Sequence, residues 1–328
     1  MPLATLDELE AATGEVHAHI TPTPQIHWPL LSRRTGCEVW VKHENHTPIG
    51  AFKVRGGLIF MVALKRERPD VPGVITATRG NHGQSVGFAA RALGIPATIV
   101  VPFGNNPEKN TAMRALGVEL VEHGHDFQAA YEETGRFAED RGLHMIPPFH
   151  PMLVRGVATY GLEFLRAHPD LHTVYVPVGM GSGICGLITV RDALGLKTCI
   201  VGVVADNAPA YALSFKEGRA VSTNSADTLA DGVACRVPDD NALAIILEGA
   251  ERIVTVSEEA ILAAMGHYLT DTHNMAEGAG AVPLAALLKE RDEMADKKVG
   301  LVLSGGNADR ALLRRVLETD GEESGLTP

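Results

Sequence analysis

The chain reads as an α/β protein built from two domains, each a mostly parallel sheet covered by helices. Three observations carry this expectation. Short β-rich runs alternate with amphipathic stretches along most of the 328 residues. Most of those runs are almost continuously apolar, the signature of strands buried on both faces. Three of them also end in glycine-rich turns, at the strand ends where open parallel sheets bind ligands.

The elements follow in order. Thr5 and Glu8 form a capping box that opens a helix. No cationic stretch followed by an apolar run precedes it, so a signal peptide is not expected. Strands are expected over 73–79, 97–102, 118–123, 173–179, 199–205, 252–257 and 298–306. A helix is expected over 127–141, with Phe127, Tyr131, Thr134 and Phe137 on one face and Gly142 as its stop. The segment IPPFHP at 146–151 is the clearest break. It divides a larger domain, 1–47 with 146–328, from a smaller one, 48–145. The polar end at 320–328 reads as a frayed tail.

Bulk properties narrow the function. The formal net charge is -11 and no basic run occurs, which argues against a nucleic-acid partner. No apolar stretch is long enough to cross a bilayer. The four cysteines, Cys37, Cys185, Cys199 and Cys235, follow no metal-ligand spacing and fit reduced thiols of a cytoplasmic protein. The histidine pairs His43/His46 and His123/His125 read as structural or solvated rather than as metal ligands.

Four stretches carry chemistry. HENHTPIGAFKVRGG, 43–57, sets Lys53 after Phe52 in turn-rich surroundings, with Arg55 as a nearby cation. A functional lysine must lose its proton, which needs burial or a neighbouring charge. TATRGNHGQS, 76–85, places Asn81, His82 and Gln84 in a glycine-bounded turn that can offer amides and backbone N–H groups to a carboxylate. An ordinary turn with Asn81 in a left-handed conformation is the plainer alternative. PVGMGSGICG, 177–186, leads from a strand into a helix and can cradle an anion. It also contains G-x-G-x-x-G, with Asp206 after the next strand, so a nicotinamide oxidoreductase is a rival reading. LSGGN, 303–307, is the third glycine turn. Their convergence on one site is the natural expectation.

Lys53 in GAFKVRGG, the RGNHGQS loop, the glycine loop after VYVPVG, TLADGVA at 228–234 and VLSGGN at 302–307 occur in an order that resembles the fold type II (tryptophan synthase β-like) pyridoxal-phosphate enzymes. Within them the chain is most similar to the serine/threonine dehydratase and serine racemase group. The resemblance runs to about Asn307. It implies a larger domain that binds the cofactor and a smaller one on the substrate side. It implies that Lys53 carries pyridoxal phosphate, that Phe52 packs near its ring, and that Asn81 bonds its phenolic oxygen. Gly179, Met180, Gly181, Ser182 and Gly183 would hold the phosphate, and Ser304 would meet the pyridine nitrogen. Thr78, Arg79, Gly80, Asn81 and His82 would face the substrate. A homodimer is the assembly implied.

These roles imply a dehydratase, or ammonia-lyase, acting on a 3-hydroxy amino acid. Lys53 would remove the α-proton while the ring takes the electrons. A serine beside the pyridine nitrogen cannot keep it protonated as a carboxylate does, so β-elimination becomes the easier exit. A racemase and a β-replacement synthase are the alternatives on the same fold, and a non-catalytic amino-acid-binding protein is another rival. No metal is expected, because Val204 and Ala210 stand where metal-dependent relatives carry acidic side chains, leaving Asp206 alone. The chain departs from the group at Met180 and Ser182, at GVAT (156–159) behind Arg155, and at Arg79 in place of serine. These changes are expected around the substrate, which widens its identity to 3-hydroxyaspartate or phenylserine.

Overall fold

A computed structural model of the chain describes residues 4–125 and 127–318. In chain order the strands are β1 (Gln25–His27), β2 (Glu38–His43), β3 (Val74–Ala77), β4 (Ala97–Val101), β5 (Glu119–Glu122), β6 (His144–Met145), β7 (Thr173–Pro177), β8 (Cys199–Ala205), β9 (Arg252–Val256) and β10 (Lys298–Leu303). The helices are α1 (Leu6–His17), α2 (Pro29–Thr35), α3 (Lys53–Glu67), α4 (Asn81–Ala92), α5 (Pro107–Ala115), α6 (Phe127–Arg141), α7 (Pro151–Ala167), α8 (Ser182–Ala193), α9 (Ala210–Glu217), α10 (Asp240–Gly249), α11 (Glu258–Thr272), α12 (Gly278–Lys289) and α13 (Arg310–Glu318). The stretch 320–328, read as a frayed tail, lies outside the described residues.

Two sheets result. The larger has the order β1-β2-β10-β7-β8-β9 and the smaller β5-β4-β3-β6. Every pairing is parallel except β1 with β2. Side chains alternate across a strand, so each apolar run feeds two cores. On one face of the large sheet Tyr175, Val201, Val203, Leu301 and Leu303 pack with α11 and α12. On the other, Val174, Val176, Ile200, Val204 and Val302 pack with α7, α8 and α10. The small sheet does the same. Val74, Ile99 and Val101 meet α3 and α4, while Ile75, Ala77 and Val100 face the α6 side.

The seven expected strands form, and three more accompany them. β1 and β6 are too short to show a period. β2 was hidden because its end is charged: Lys42 and His43 are both buried. The capping box of Thr5 and Glu8 is made on both sides. The α6 face expected from the sequence packs on the small sheet, and Gly142 ends that segment with φ 64. The expected strands were too long where glycine turns follow. β3 stops at Ala77, β7 at Pro177 and β10 at Leu303.

Candidate functional site

Three loops leave the ends of β3, β7 and β10 and meet one another and the start of α3. Lys53 is the first residue of α3. Its amine lies 3.2 Å from Ser182 Oγ, at the first turn of α8, and 5.0 Å from the centroid of the Phe52 ring. The Phe52 N–H donates to the Ser304 carbonyl at 3.0 Å. Asn307 Nδ2 donates to Asn81 Oδ1 at 2.8 Å. All three glycine loops thus converge on the Lys53 segment.

Burial lowers the Lys53 pKa to about 8, so the uncharged amine is far more abundant near neutrality than for a solvated lysine. Arg55 does not contribute in the way the sequence suggested. Its guanidinium turns away into a buried cluster with Glu44 and Glu163. Desolvation alone acts on Lys53.

The β7–α8 loop has the form of an anion cradle. Gly181 is in the left-handed region, φ 94, and a Cβ there would stand 2.7 Å from Ala242. At Gly179 a Cβ would strike the Gly232 carbonyl at 2.2 Å. No side chain caps the N-terminus of α8, so its first N–H groups are left for a ligand. The Tyr211 hydroxyl donates to the Met180 carbonyl and the Tyr160 hydroxyl to the Gly183 carbonyl. These bonds brace the loop from behind, and Met180 and Ser182 fit within it. Ser304 is buried, and its hydroxyl makes no hydrogen bond among the described residues.

The β3–α4 loop is a built turn. Thr78 is buried and its hydroxyl accepts from the N–H groups of Gly80 and Gly83. It therefore shapes the loop rather than standing free in it. Asn81 is not left-handed but begins α4. His82 Nε2 is buried without a hydrogen-bond partner among the described residues. Burial first, then the Lys53 charge, lower the His82 pKa to about 3, so the ring is neutral. These orphaned groups, with the bare helix start and the glycine cradle, fit a phosphate-bearing aldehyde cofactor on Lys53.

Beside the loop opens a cavity of about 290 Å³, whose lining includes Arg79, Asn106, Lys109, Asp231, Glu277 and Asn307. Arg79 is exposed and makes no ion pair among the described residues. Lys109 pairs with Asp231. Glu277 is 3% exposed and accepts from Asn81 Nδ2 at 2.7 Å. Burial and then Asp231 raise its pKa above the usual carboxylate range, against the opposing pull of Lys109. Lys109, Asp231 and Glu277 were not among the expected site residues. Lys109 and Glu277 are single charges in otherwise unmarked stretches, and the resemblance implies no role for Asp231, although it lies inside TLADGVA.

Arg155 is not near this site. It pairs with Glu8 at 2.9 Å and ties α7 to α1. GVAT lies within α7, where a Cβ on Gly156 would stand 2.2 Å from the Arg55 carbonyl. That departure belongs to helix packing, not to the substrate.

Residues 16–305 match the family described as pyridoxal-phosphate dependent enzyme. An L-threonine ammonia-lyase of Geobacter sulfurreducens is 38% identical over 311 residues, covering 94% of this chain and 77% of that one. An L-threo-3-hydroxyaspartate ammonia-lyase of Saccharomyces cerevisiae is 30% identical over 330 residues, covering 100% of both. The structure of maize serine racemase superposes with a TM-score of 0.89 at 26% identity, covering 96% of this chain and 97% of that one. The nicotinamide and non-catalytic readings fall with these matches: the chain is a fold type II enzyme and belongs to the pyridoxal-phosphate-dependent family.

Proposed function

We propose that the protein is a dehydratase that converts a 3-hydroxy amino acid to a 2-oxo acid and ammonia. The observation that carries this reading is the buried Lys53 amine 3.2 Å from Ser182 in an uncapped glycine cradle. Lys53 would hold the cofactor, and its free amine would be the base for the α-proton. The cofactor, when bound, supplies the electron sink. Gly179, Met180, Gly181, Ser182 and Gly183 would hold the phosphate, aided by the start of α8. Phe52 would cover the ring, Asn81 would donate to the phenolic oxygen, and the Ser304 hydroxyl would meet the pyridine nitrogen. Neutral His82, Gly80 and the loop braced by Thr78 receive the substrate carboxylate through N–H groups. Loss of the β-hydroxyl as water leaves an enamine, which tautomerises and takes up water to release ammonia.

We also propose the division into a cofactor-binding unit, 1–47 with 146–328, and a substrate-side unit, 48–145. The two sheets support it, since β3 to β6 form the smaller one. A cytoplasmic homodimer remains part of this reading. The four free thiols support the reducing compartment. No helix among the described residues is long and apolar enough to cross a membrane.

The test is 2-oxo acid formation by the purified protein across stereoisomers of serine, threonine, 3-hydroxyaspartate and phenylserine. Turnover of at least one, with a visible absorption band from the bound cofactor, is expected. A cofactor-loaded protein that turns over none would reject the dehydratase reading.

Arg79 bears on the choice among these substrates. Its guanidinium makes no ion pair among the described residues and lines the cavity, and a guanidinium offers only donors. It is therefore unsuited to exchange a proton with Cα, and racemisation is expected to be negligible. Its fork geometry suits a β-carboxylate, the group named in the yeast relative's substrate. Arg79→Ser should lower kcat/KM on 3-hydroxyaspartate by up to about 5-fold, about 1 kcal/mol, an exposed pairing being screened. Threonine should lose much less. Equal losses on both substrates would reject carboxylate recognition.

A further inference from the structure

We propose that Glu277 and Asn307 fix the orientation of the Asn81 carboxamide, so that an N–H of Asn81 and not its carbonyl is presented to the cofactor. The proposal rests on the reading of Asn81 as the amide that meets the phenolic oxygen.

The orientation is anchored at a backbone carbonyl. The Ile49 oxygen can only accept, so the Asn307 atom 2.9 Å from it is the amide nitrogen. That same nitrogen lies 2.8 Å from an Asn81 side-chain atom, which must then be the oxygen. The Asn81 nitrogen is left as the atom 2.7 Å from Glu277 Oε1. One of its two N–H bonds is used there and the other is free. The Asn81 oxygen already accepts from Asn307. What Asn81 offers most readily to a ligand is therefore a donor, which suits a phenolate oxygen.

Without these partners the two faces of a carboxamide are nearly isosteric, and a flip would set oxygen against oxygen. The surroundings hold both partners close. A Cβ at Gly305 would lie 2.5 Å from Glu277 Oε1, and one at Gly50 would lie 2.6 Å from Asn307 Oδ1. The Glu277 N–H donates to the Gly305 carbonyl at 3.1 Å. Lys109 does not take over the carboxylate, since it pairs with Asp231. Glu277 Oε2 has no hydrogen-bond partner among the described residues, so Asn81 is the side-chain partner of this carboxyl group. Glu277 and Asn307 are thus positioning residues that act through Asn81.

The test reads the visible absorption of the bound cofactor and its dissociation constant in the whole protein, with circular dichroism confirming that each variant is folded. Asn81→Ala, Asn307→Leu and Glu277→Leu should shift the absorption in the same direction and weaken cofactor binding about tenfold, the scale of one hydrogen bond to a charged oxygen. Glu277→Gln keeps an acceptor for Asn81 and should restore the wild-type spectrum. Adding Asn307→Leu to Asn81→Ala should produce no further change, because both remove the same contact. A shift in Asn81→Ala with wild-type spectra in Asn307→Leu and Glu277→Leu would overturn this proposal while leaving the Asn81 contact intact. No shift in Asn81→Ala would overturn both. Additive losses in the double variant would make Asn307 an independent structural residue and overturn its positioning role.

Discussion

Lys53→Ala is expected to abolish covalent attachment of the cofactor and to lower kcat by about 10²- to 10⁴-fold or more, the scale of one positioned proton-transfer group. In the proposed reading the amine has two tasks, attachment and removal of the α-proton, and among the described residues no second lysine stands at the cradle to take them over. Lys109, the lysine lining the neighbouring cavity, is held by Asp231, and its pKa is raised by the Asp231 and Glu277 charges even though burial opposes this. It is therefore a poor nucleophile at neutral pH. Borohydride reduction of the loaded protein followed by peptide mapping should place the label on Lys53. Label on Lys109 would sink the assignment and most of the site with it.

The lowered pKa adds a pH signature. In the proposed reading the free amine would capture the aldehyde, and burial lowers its pKa from near 10.5 to about 8. Reloading of cofactor-free protein should therefore quicken as pH rises through about 8 and level off about one pH unit above that. A rate still climbing steeply toward pH 10 would mean that Lys53 is solvated.

The three converging loops were legible because glycine interrupts an otherwise continuous apolar pattern. Gly179 stands where the Gly232 carbonyl, and Gly181 where the Ala242 methyl, leaves no room for a side chain. Lys53 could be singled out by its company, although the reason given for its reactivity was half wrong. Burial acts on it, and Arg55 does not. The charged residues that complete the site were not legible. Lys109 comes from α5, Asp231 from a short turn and Glu277 from the start of α12. Each looks in isolation like a solvated charge. What marks them is burial against one another, and that is decided by tertiary packing alone. β2 escaped for the same reason. The charge at Lys42 makes the strand look exposed until its partners are known.

Those partners predict the largest effect on stability. Arg55 is fully buried and donates to Glu44 at 2.7 and 3.0 Å, to Glu163 at 2.7 and 3.0 Å and to Thr159 at 3.0 Å. Lys42, also fully buried, pairs with Glu163 and donates to the Thr23 carbonyl at 2.9 Å. Two cations and two carboxylates thus balance where α3, α7 and β2 meet, one residue after the Lys53–Val54 start of α3. Arg55→Leu leaves one buried lysine to serve two buried carboxylates. Breaking such a cluster costs about 3–5 kcal/mol, and the denaturation midpoint should fall accordingly. Acid should erase part of that difference. Burial would raise the Glu163 pKa, but Arg55 first and then Lys42 hold it at about 2. A depressed folded pKa gives stability that is present above the unfolded value, near 4.5, and lost as pH falls toward 2. The wild-type protein should therefore lose stability through that window more steeply than Arg55→Leu. Replacing Lys42, Arg55, Glu44 and Glu163 together by apolar residues of similar volume should cost far less than Arg55→Leu alone, because neither a buried cation nor a buried carboxylate of the cluster is then left with too few partners. A quadruple variant as unstable as the single one would mean that the cluster's value lies in its packing rather than in its charge balance.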